Sequence, residues 1–191
     1  MIPIKLVILD RDGTINEDSD DFVKSPDEWR PLPGALESIA RLNHAAWHVV
    51  VVSNQSGLGR GLFEVSDLNA IHAKMHQMLA AVGGRIDAVF YCPHAPDEGC
   101  QCRKPASGLF EQIADRYGLD LKNVPVVGDS ARDVIAGAAV GCEPHLVLTG
   151  KGAVYKARPL PEIFPPHTQV HENLSAFVDF LLSREEEMAQ A

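Results

Sequence analysis

The chain has 191 residues, 46% of them hydrophobic and 23% charged, with a formal net charge of −9 at pH 7. That length suits one domain with an ample core; the acid excess argues against a broad nucleic-acid footprint and leaves room for a local basic pocket that takes a small anion. No apolar run reaches the roughly 18 residues of a membrane span, the stretch MIPIKLVILD reads as a strand rather than a signal peptide, and four cysteines are too few for a secreted disulfide scaffold, so a cytoplasmic protein is expected.

Apolar, β-rich runs recur at 4–9, 48–53, 88–92, 124–128 and 145–149. They lack period-two alternation, as central strands covered on both faces do. Helical patterns lie between them. Pro33 and Gly34 open one that carries Ala35, Leu36, Ile39, Ala40 and Leu42 on a single face. A second starts at Ser66, reaches about Val82 and is stopped by Gly83-Gly84. Residues 107–117 form a third, ended by Gly118; 131–140 a fourth, ended by Gly141; 174–188 a last one. The Pro-rich stretch 151–171 reads as surface connection. Strand–helix alternation of this kind predicts a doubly wound parallel sheet in an α/β fold, one domain over 1–191. Gly57, Gly59 and Gly61 lack dinucleotide-loop spacing and read as flexible loop glycines. His72 and His76 read as a solvated helix face, Arg60 as a plain surface arginine, Trp29 and Trp47 as packing residues, and Cys142 as a buried free thiol.

Doubly wound sheets place chemistry in loops at the carboxyl ends of their strands. Four such ends carry polar groups here: Asp10 to Thr14, Ser53-Asn54-Gln55, Cys92 to His94, and Gly128-Asp129-Ser130. Arg103-Lys104-Pro105 precedes the third helix. Asp10 and Asp12 stand two apart, so a continued pleat sends both carboxylates to one face. Close carboxylates raise each other's pKa unless a cation sits between them, and with Asp129 they offer oxygen ligands suited to Mg²⁺. Were Asp12 to act as a general acid, it would need a raised pKa to donate a proton near neutrality. Ser130 and Asp133 have capping-box spacing, so Asp133 is either a cap that orients its neighbours or a direct metal ligand.

Cys92, His94, Cys100 and Cys102 crowd three of the four cysteines into eleven residues. Three thiolates and an imidazole make a closed tetrahedral set for Zn²⁺. A disulfide would leave an odd thiol, and a redox pair would favour C-x-x-C, which is absent. With four protein ligands the zinc has no open position, so its expected role is structural: it orders a loop too polar to order itself and sets Arg103 and Lys104 at the mouth of the carboxylate site.

Asp10-x-Asp12-Gly13-Thr14, a strand ending in Ser53-Asn54, a Lys before a helix, and Gly128-Asp129-x-x-x-Asp133 resemble the four motifs of the haloacid dehalogenase superfamily of phosphohydrolases, over about residues 4 to 150. The resemblance implies a Rossmann-like core. It implies Asp10 as the nucleophile that becomes an aspartyl-phosphate, and Asp12 as acid for the leaving alcohol and then base for water. Ser53 and Lys104 would grip the phosphoryl group, and Asp10, Asp129 and the backbone carbonyl of Asp12 would hold Mg²⁺. Only about 40 residues separate Asp12 from Ser53, so the enzyme looks capless, with the short zinc loop as its sole insertion.

Within the superfamily, the Asp10–Asn16 start, SNQSGLGRG at 53–61 and the cysteine loop resemble the branch that acts on the 7-phosphate of D,D-heptose 1,7-bisphosphate, in ADP-heptose and lipopolysaccharide core precursor synthesis. The alternative is a histidinol-phosphate phosphatase, which shares the zinc loop. By this resemblance Asp18, Ser19, Asp20, Asp21, Asn54, Gln55, Ser56 and Arg103 contact substrate, with Arg103 suited to a second phosphate. Ser130 stands where that branch often has Lys and is the remaining substrate-binding candidate. The expected partner is a small sugar bisphosphate, with no nucleic acid and no membrane, and the expected state is a monomer. A receiver-like signalling module and a zinc-based interaction module are the rival classes; the first needs no zinc loop, and the net charge opposes nucleic-acid binding by the second.

Overall fold

The computed structural model describes residues 4–190, so Met1 to Pro3 of the expected first strand lie outside it. Six parallel strands form one sheet: β1 (Lys5–Leu9), β2 (Trp47–Asn54), β3 (Ala88–Cys92), β4 (Pro125–Gly128), β5 (Glu143–Val147) and β6 (Gln169–His171). Their order across the sheet is β3-β2-β1-β4-β5-β6. The helices are α1 (Ala35–His44), α2 (Ser56–Gly59), α3 (Val65–Ala81), α4 (Gly108–Tyr117), α5 (Ala131–Ala138) and α6 (Leu174–Gln190).

The absence of alternation in the strands has the expected cause. Val7 and Leu9 of β1 face a core shared with Leu36 and Ile39 of α1, Ile71 and Met75 of α3, and Phe177 and Leu181 of α6. Leu6 and Ile8 face the opposite core, with Leu109, Phe110 and Ile113 of α4 and Ala136 of α5. Both sides of β1 are therefore buried, which is why both residue parities are apolar. Trp29 and Trp47 lie in the first of these cores. Gly118, at φ 61, ends α4 in the left-handed conformation, whereas α5 stops at Ala138, short of the expected 140, and Gly141, at φ 87, turns the chain after it.

Three details depart from the sequence reading. The fifth strand runs 143–147 rather than 145–149, because Thr149 leaves the sheet to donate its hydroxyl to the Gly13 carbonyl, 2.6 Å away. The stretch read as surface connection contains β6, which pairs His145 with Gln169 and Val147 with His171. It is three residues long and follows a Pro-Pro pair, too short to carry a period. The third departure is at Gly57 and Gly59, which sit in α2 and are packed: a Cβ on Gly57 would strike the Phe63 ring, and one on Gly59 would come within 2.6 Å of the Ala95 amide nitrogen. Close approach of the Phe63 ring at Gly57 and of the cysteine loop at Gly59, not flexibility, is what those glycines serve.

Candidate active site

Sheet order reverses between β1 and β4, and this opens a crevice at their carboxyl ends. Asp10 follows β1 and Asp129 follows β4, so adjacent strands deliver both acids to one place. A cavity of about 220 Å³ lies there, lined among others by Asp10, Asp12, Ser53, Asn54, Gln55, Ser56, Arg103 and Lys104.

Lys104 reaches into the crevice from the end of the cysteine loop and is 2% exposed. Its Nζ lies 2.7 Å from Asp10 Oδ1, 2.7 Å from Asp133 Oδ1, and donates to the Val52 carbonyl at 2.7 Å. Asn54 fixes the Lys104 backbone at both ends: it receives the Lys104 N–H and donates to the Lys104 carbonyl, each at 3.0 Å. Gln55 donates to Asp12 Oδ2 at 3.0 Å and to Ser53 Oγ at 2.7 Å, tying the second strand end to the first.

Ligand oxygens of Asp10, Asp129 and Asp133 all lie within 4.8 Å of one another. Burial and the neighbouring Asp133 raise Asp10 to about 7, against the pull of Lys104. Burial, Asp10 and Asp133 raise Asp129 to about 8. Three carboxylates face one ammonium, which leaves two negative charges uncompensated when all are ionised. A hard divalent cation with oxygen ligands fits both the donor set and that deficit. Asp133 has both oxygens engaged, Oδ1 by Lys104 and Oδ2 by the Ser130 hydroxyl at 2.6 Å and amide at 3.1 Å. It therefore orients Lys104 and caps α5. Backbone holds the rest in place. Gly13, at φ +86, lets the turn after Asp12 pass so close to Asp129 that a Cβ would collide with its carboxylate, and the Lys151 amide donates to Asp129 Oδ2 at 2.8 Å.

Asp12 corrects the sequence reading. A raised pKa was expected; burial does push it up, but the Arg11 guanidinium and hydrogen bonds from Asn16 and Gln55 hold it below the usual carboxylate value. Arg11 is fully buried and grips both Asp12 oxygens, Nε to Oδ1 and Nη2 to Oδ2, each at 2.9 Å. Its Nη1 lies 3.3 Å from His72 Nε2. His72 is thus part of this network rather than a solvated helix face, and burial next to Arg11 depresses it to about 4.

The sequence candidates divide by position. Asp18, Ser19 and Asp20 line the cavity; Asp21 instead lines the neighbouring cleft with Glu17, Lys24, Glu28 and Arg30. Ser130 is absent from the cavity wall, its hydroxyl spent on Asp133. Arg60 is exposed, as a surface arginine is, and also lines the cavity, over the Phe22 ring at 5.7 Å, where the alternative role of serving a second phosphate beside Arg103 would place it. Sequence reasoning missed Arg11, Arg132 and Lys151. All three follow strand ends at the same edge as the residues it found, and Lys151 comes four residues after β5, beyond the strand end itself.

Cys92, His94, Cys100 and Cys102 converge. Cys92 Sγ lies 3.6 Å from Cys100 Sγ and 3.5 Å from His94 Nδ1, which is 3.2 Å from Cys102 Sγ. Such separations match the edges of a tetrahedron with zinc–sulfur bonds of about 2.3 Å. Cys142 stands apart as a buried free thiol.

Residues 101–177 match the HAD-hydrolase-like family model. The chain is 57% identical over 180 residues to D-glycero-beta-D-manno-heptose-1,7-bisphosphate 7-phosphatase of Bordetella bronchiseptica, covering 94% of this chain and 98% of that protein. It is 48% identical to the Pseudomonas aeruginosa protein of the same name, covering 93% and 97%. The crystal structure of D,D-heptose 1,7-bisphosphate phosphatase from B. bronchiseptica, complexed with magnesium and phosphate, superposes with a TM-score of 0.90 at 56% identity, covering 94% of this chain and 99% of that one. With its crevice at the switch point, its paired aspartates and this likeness along nearly its whole length, the chain belongs to the D-glycero-beta-D-manno-heptose-1,7-bisphosphate 7-phosphatase family of the haloacid dehalogenase superfamily.

Proposed function

We propose that this enzyme removes the 7-phosphate of D-glycero-β-D-manno-heptose 1,7-bisphosphate by way of a phosphoryl group carried on Asp10. The observation that carries this reading is the meeting of Asp10, Asp129 and Lys104 at one end of a cavity whose other walls hold arginines. Relatives named for that sugar bisphosphate support the substrate, and the histidinol-phosphate alternative is not favoured by them.

Asp10 is the nucleophile. Lys104 holds its Oδ1, and among the described residues no side-chain donor occupies Oδ2, which is left to attack phosphorus. Attack breaks the bond from phosphorus to the sugar oxygen, and that oxygen leaves with the electron pair and takes a proton. Asp12 faces the same cavity. An incoming phosphate dianion raises a neighbouring carboxylate, which counters the Arg11 grip and lets Asp12 carry the proton delivered to the leaving oxygen. Once the sugar has gone, the deprotonated form that Arg11, Asn16 and Gln55 favour takes a proton from water. Water then attacks phosphorus and frees Asp10. Ser53 and Lys104 hold the equatorial oxygens throughout. Asp10, Asp129 and the backbone carbonyl of Asp12 would hold magnesium, which neutralises the repulsion between the nucleophile and the phosphate dianion. Zinc on Cys92, His94, Cys100 and Cys102 would fix the loop that carries Arg103 and Lys104.

Purified enzyme with magnesium, given heptose 1,7-bisphosphate and histidinol phosphate in parallel, tests the assignment. Phosphate release from the first, with the 1-phosphate retained by phosphorus NMR, is expected; faster release from histidinol phosphate, or loss of the 1-phosphate first, would overturn it.

A further inference from the structure

At the reacting end of the cavity the cations are already engaged. Lys104 pairs with Asp10 and Asp133, Arg11 with Asp12, and Lys151 with Asp18 at 3.1 Å. Three cations on the cavity wall are left over: Arg60, Arg103 and Arg132 have no carboxylate within 4.0 Å among the described residues. Arg60 rests on the Phe22 ring. Arg103 and Arg132 have no such partner, and Arg103 Nη1 and Arg132 Nε are buried with no hydrogen-bond partner among the described residues. Like charges crowded together with buried unpaired donors are costly unless an anion joins them. Arg132 is the second residue of α5, anchored by the Ser130–Asp133 cap, and Arg103 immediately precedes Lys104. The two guanidiniums thus reach one cavity from separate segments, Arg103 from the end of the cysteine loop and Arg132 from the start of α5.

We infer that Arg132 acts with Arg103 as a guanidinium pair that holds the second phosphate of the substrate, and that Arg132 sets the preference for a bisphosphate over a monophosphate. This rests on the function proposed above. A planar guanidinium suits that task because it can offer two parallel hydrogen bonds to one phosphate, which a lysine cannot.

The test compares wild type, Arg132→Gln and Arg132→Lys on heptose 1,7-bisphosphate and on heptose 7-phosphate. The ratio of kcat/KM for the bisphosphate to that for the monophosphate should fall about 10- to 100-fold in Arg132→Gln, through KM, and recover in part in Arg132→Lys. In wild type, added KCl should raise KM for the bisphosphate more steeply than for the monophosphate, a readout that does not depend on the variants folding. A ratio within about threefold of wild type in Arg132→Gln, or equal salt slopes, would overturn the inference while leaving the function intact. Wild type inert on both sugars would instead defeat the function itself.

Discussion

Arg11 is the residue on which the proton chemistry turns. It is buried, it occupies both oxygens of Asp12, and its remaining nitrogen leans on a neutral His72. Removing one member of a buried ion pair leaves the other charge uncompensated and costs about 3 kcal/mol or more. Arg11→Leu is therefore expected to lower the unfolding free energy by about that amount in denaturant titration and to cut kcat by at least about tenfold, because Asp12 loses its fixed direction. A variant as stable and as active as wild type would show the pair to be idle. This residue also marks where reading the sequence stopped short. Asp10, Asp12 and Asp129 were legible because strand-end acids two apart announce themselves. Arg11 sits between the first two, and nothing in a linear pattern says that its long side chain folds back onto its neighbour. The depressed pKa of Asp12 follows from that fold-back, so it was out of reach too.

Two elements carry the site. The cysteine loop does so through a Cys/His cluster that could hold a metal ion: it is short of apolar side chains, and its end is tied to β2 by Asn54 on either side of Lys104. Stripping zinc with a strong chelator, confirmed by metal analysis, should raise amide exchange across 93–103 and lower kcat/KM at least about tenfold, with Asn54 keeping part of the lysine's placement. Unchanged exchange and kinetics after verified removal would defeat the structural role. The sequence announced this loop plainly, since cysteine and histidine spacing is one-dimensional information. It did not announce β6, whose three residues take their place only because β5 offers a free edge. There His145 Nδ1 lies 3.0 Å from His171 Nε2, and both rings pack on Phe177. Burial and His171 depress His145 to about 3. Between pH 6.5 and 3 the unfolded chain therefore binds a proton that the folded chain refuses, so this histidine's stabilising effect is whole above pH 6.5 and fades as pH falls. The expected slope is on the order of 1 kcal/mol per pH unit in urea titrations between pH 6 and 4, flattened in His145→Asn. Equal slopes in the two proteins would refute the assignment.

At the scale of the molecule, the strand order does the assembling. A reversal between β1 and β4 brings residues 10 and 129 side by side, and the connection after β3 is long enough to send a lysine back onto Asp10 and Asp133. The doubly wound fold was legible because central strands are apolar on both faces and glycines follow several helices, Gly83 after α3, Gly118 after α4 and Gly141 after α5. What the pattern could not reveal was that Arg132 and Lys151, from two further segments, join Arg60 and Arg103 on the cavity wall. The central claim remains the covalent one, that phosphate passes through Asp10. Rapid acid quench during turnover of substrate labelled with ³²P in the 7-phosphate tests it most directly. Label bound to the peptide containing Asp10, released by hydroxylamine, and neither bound label nor turnover in Asp10→Asn, is the expected result; sustained turnover in Asp10→Asn with no label on the protein would contradict it.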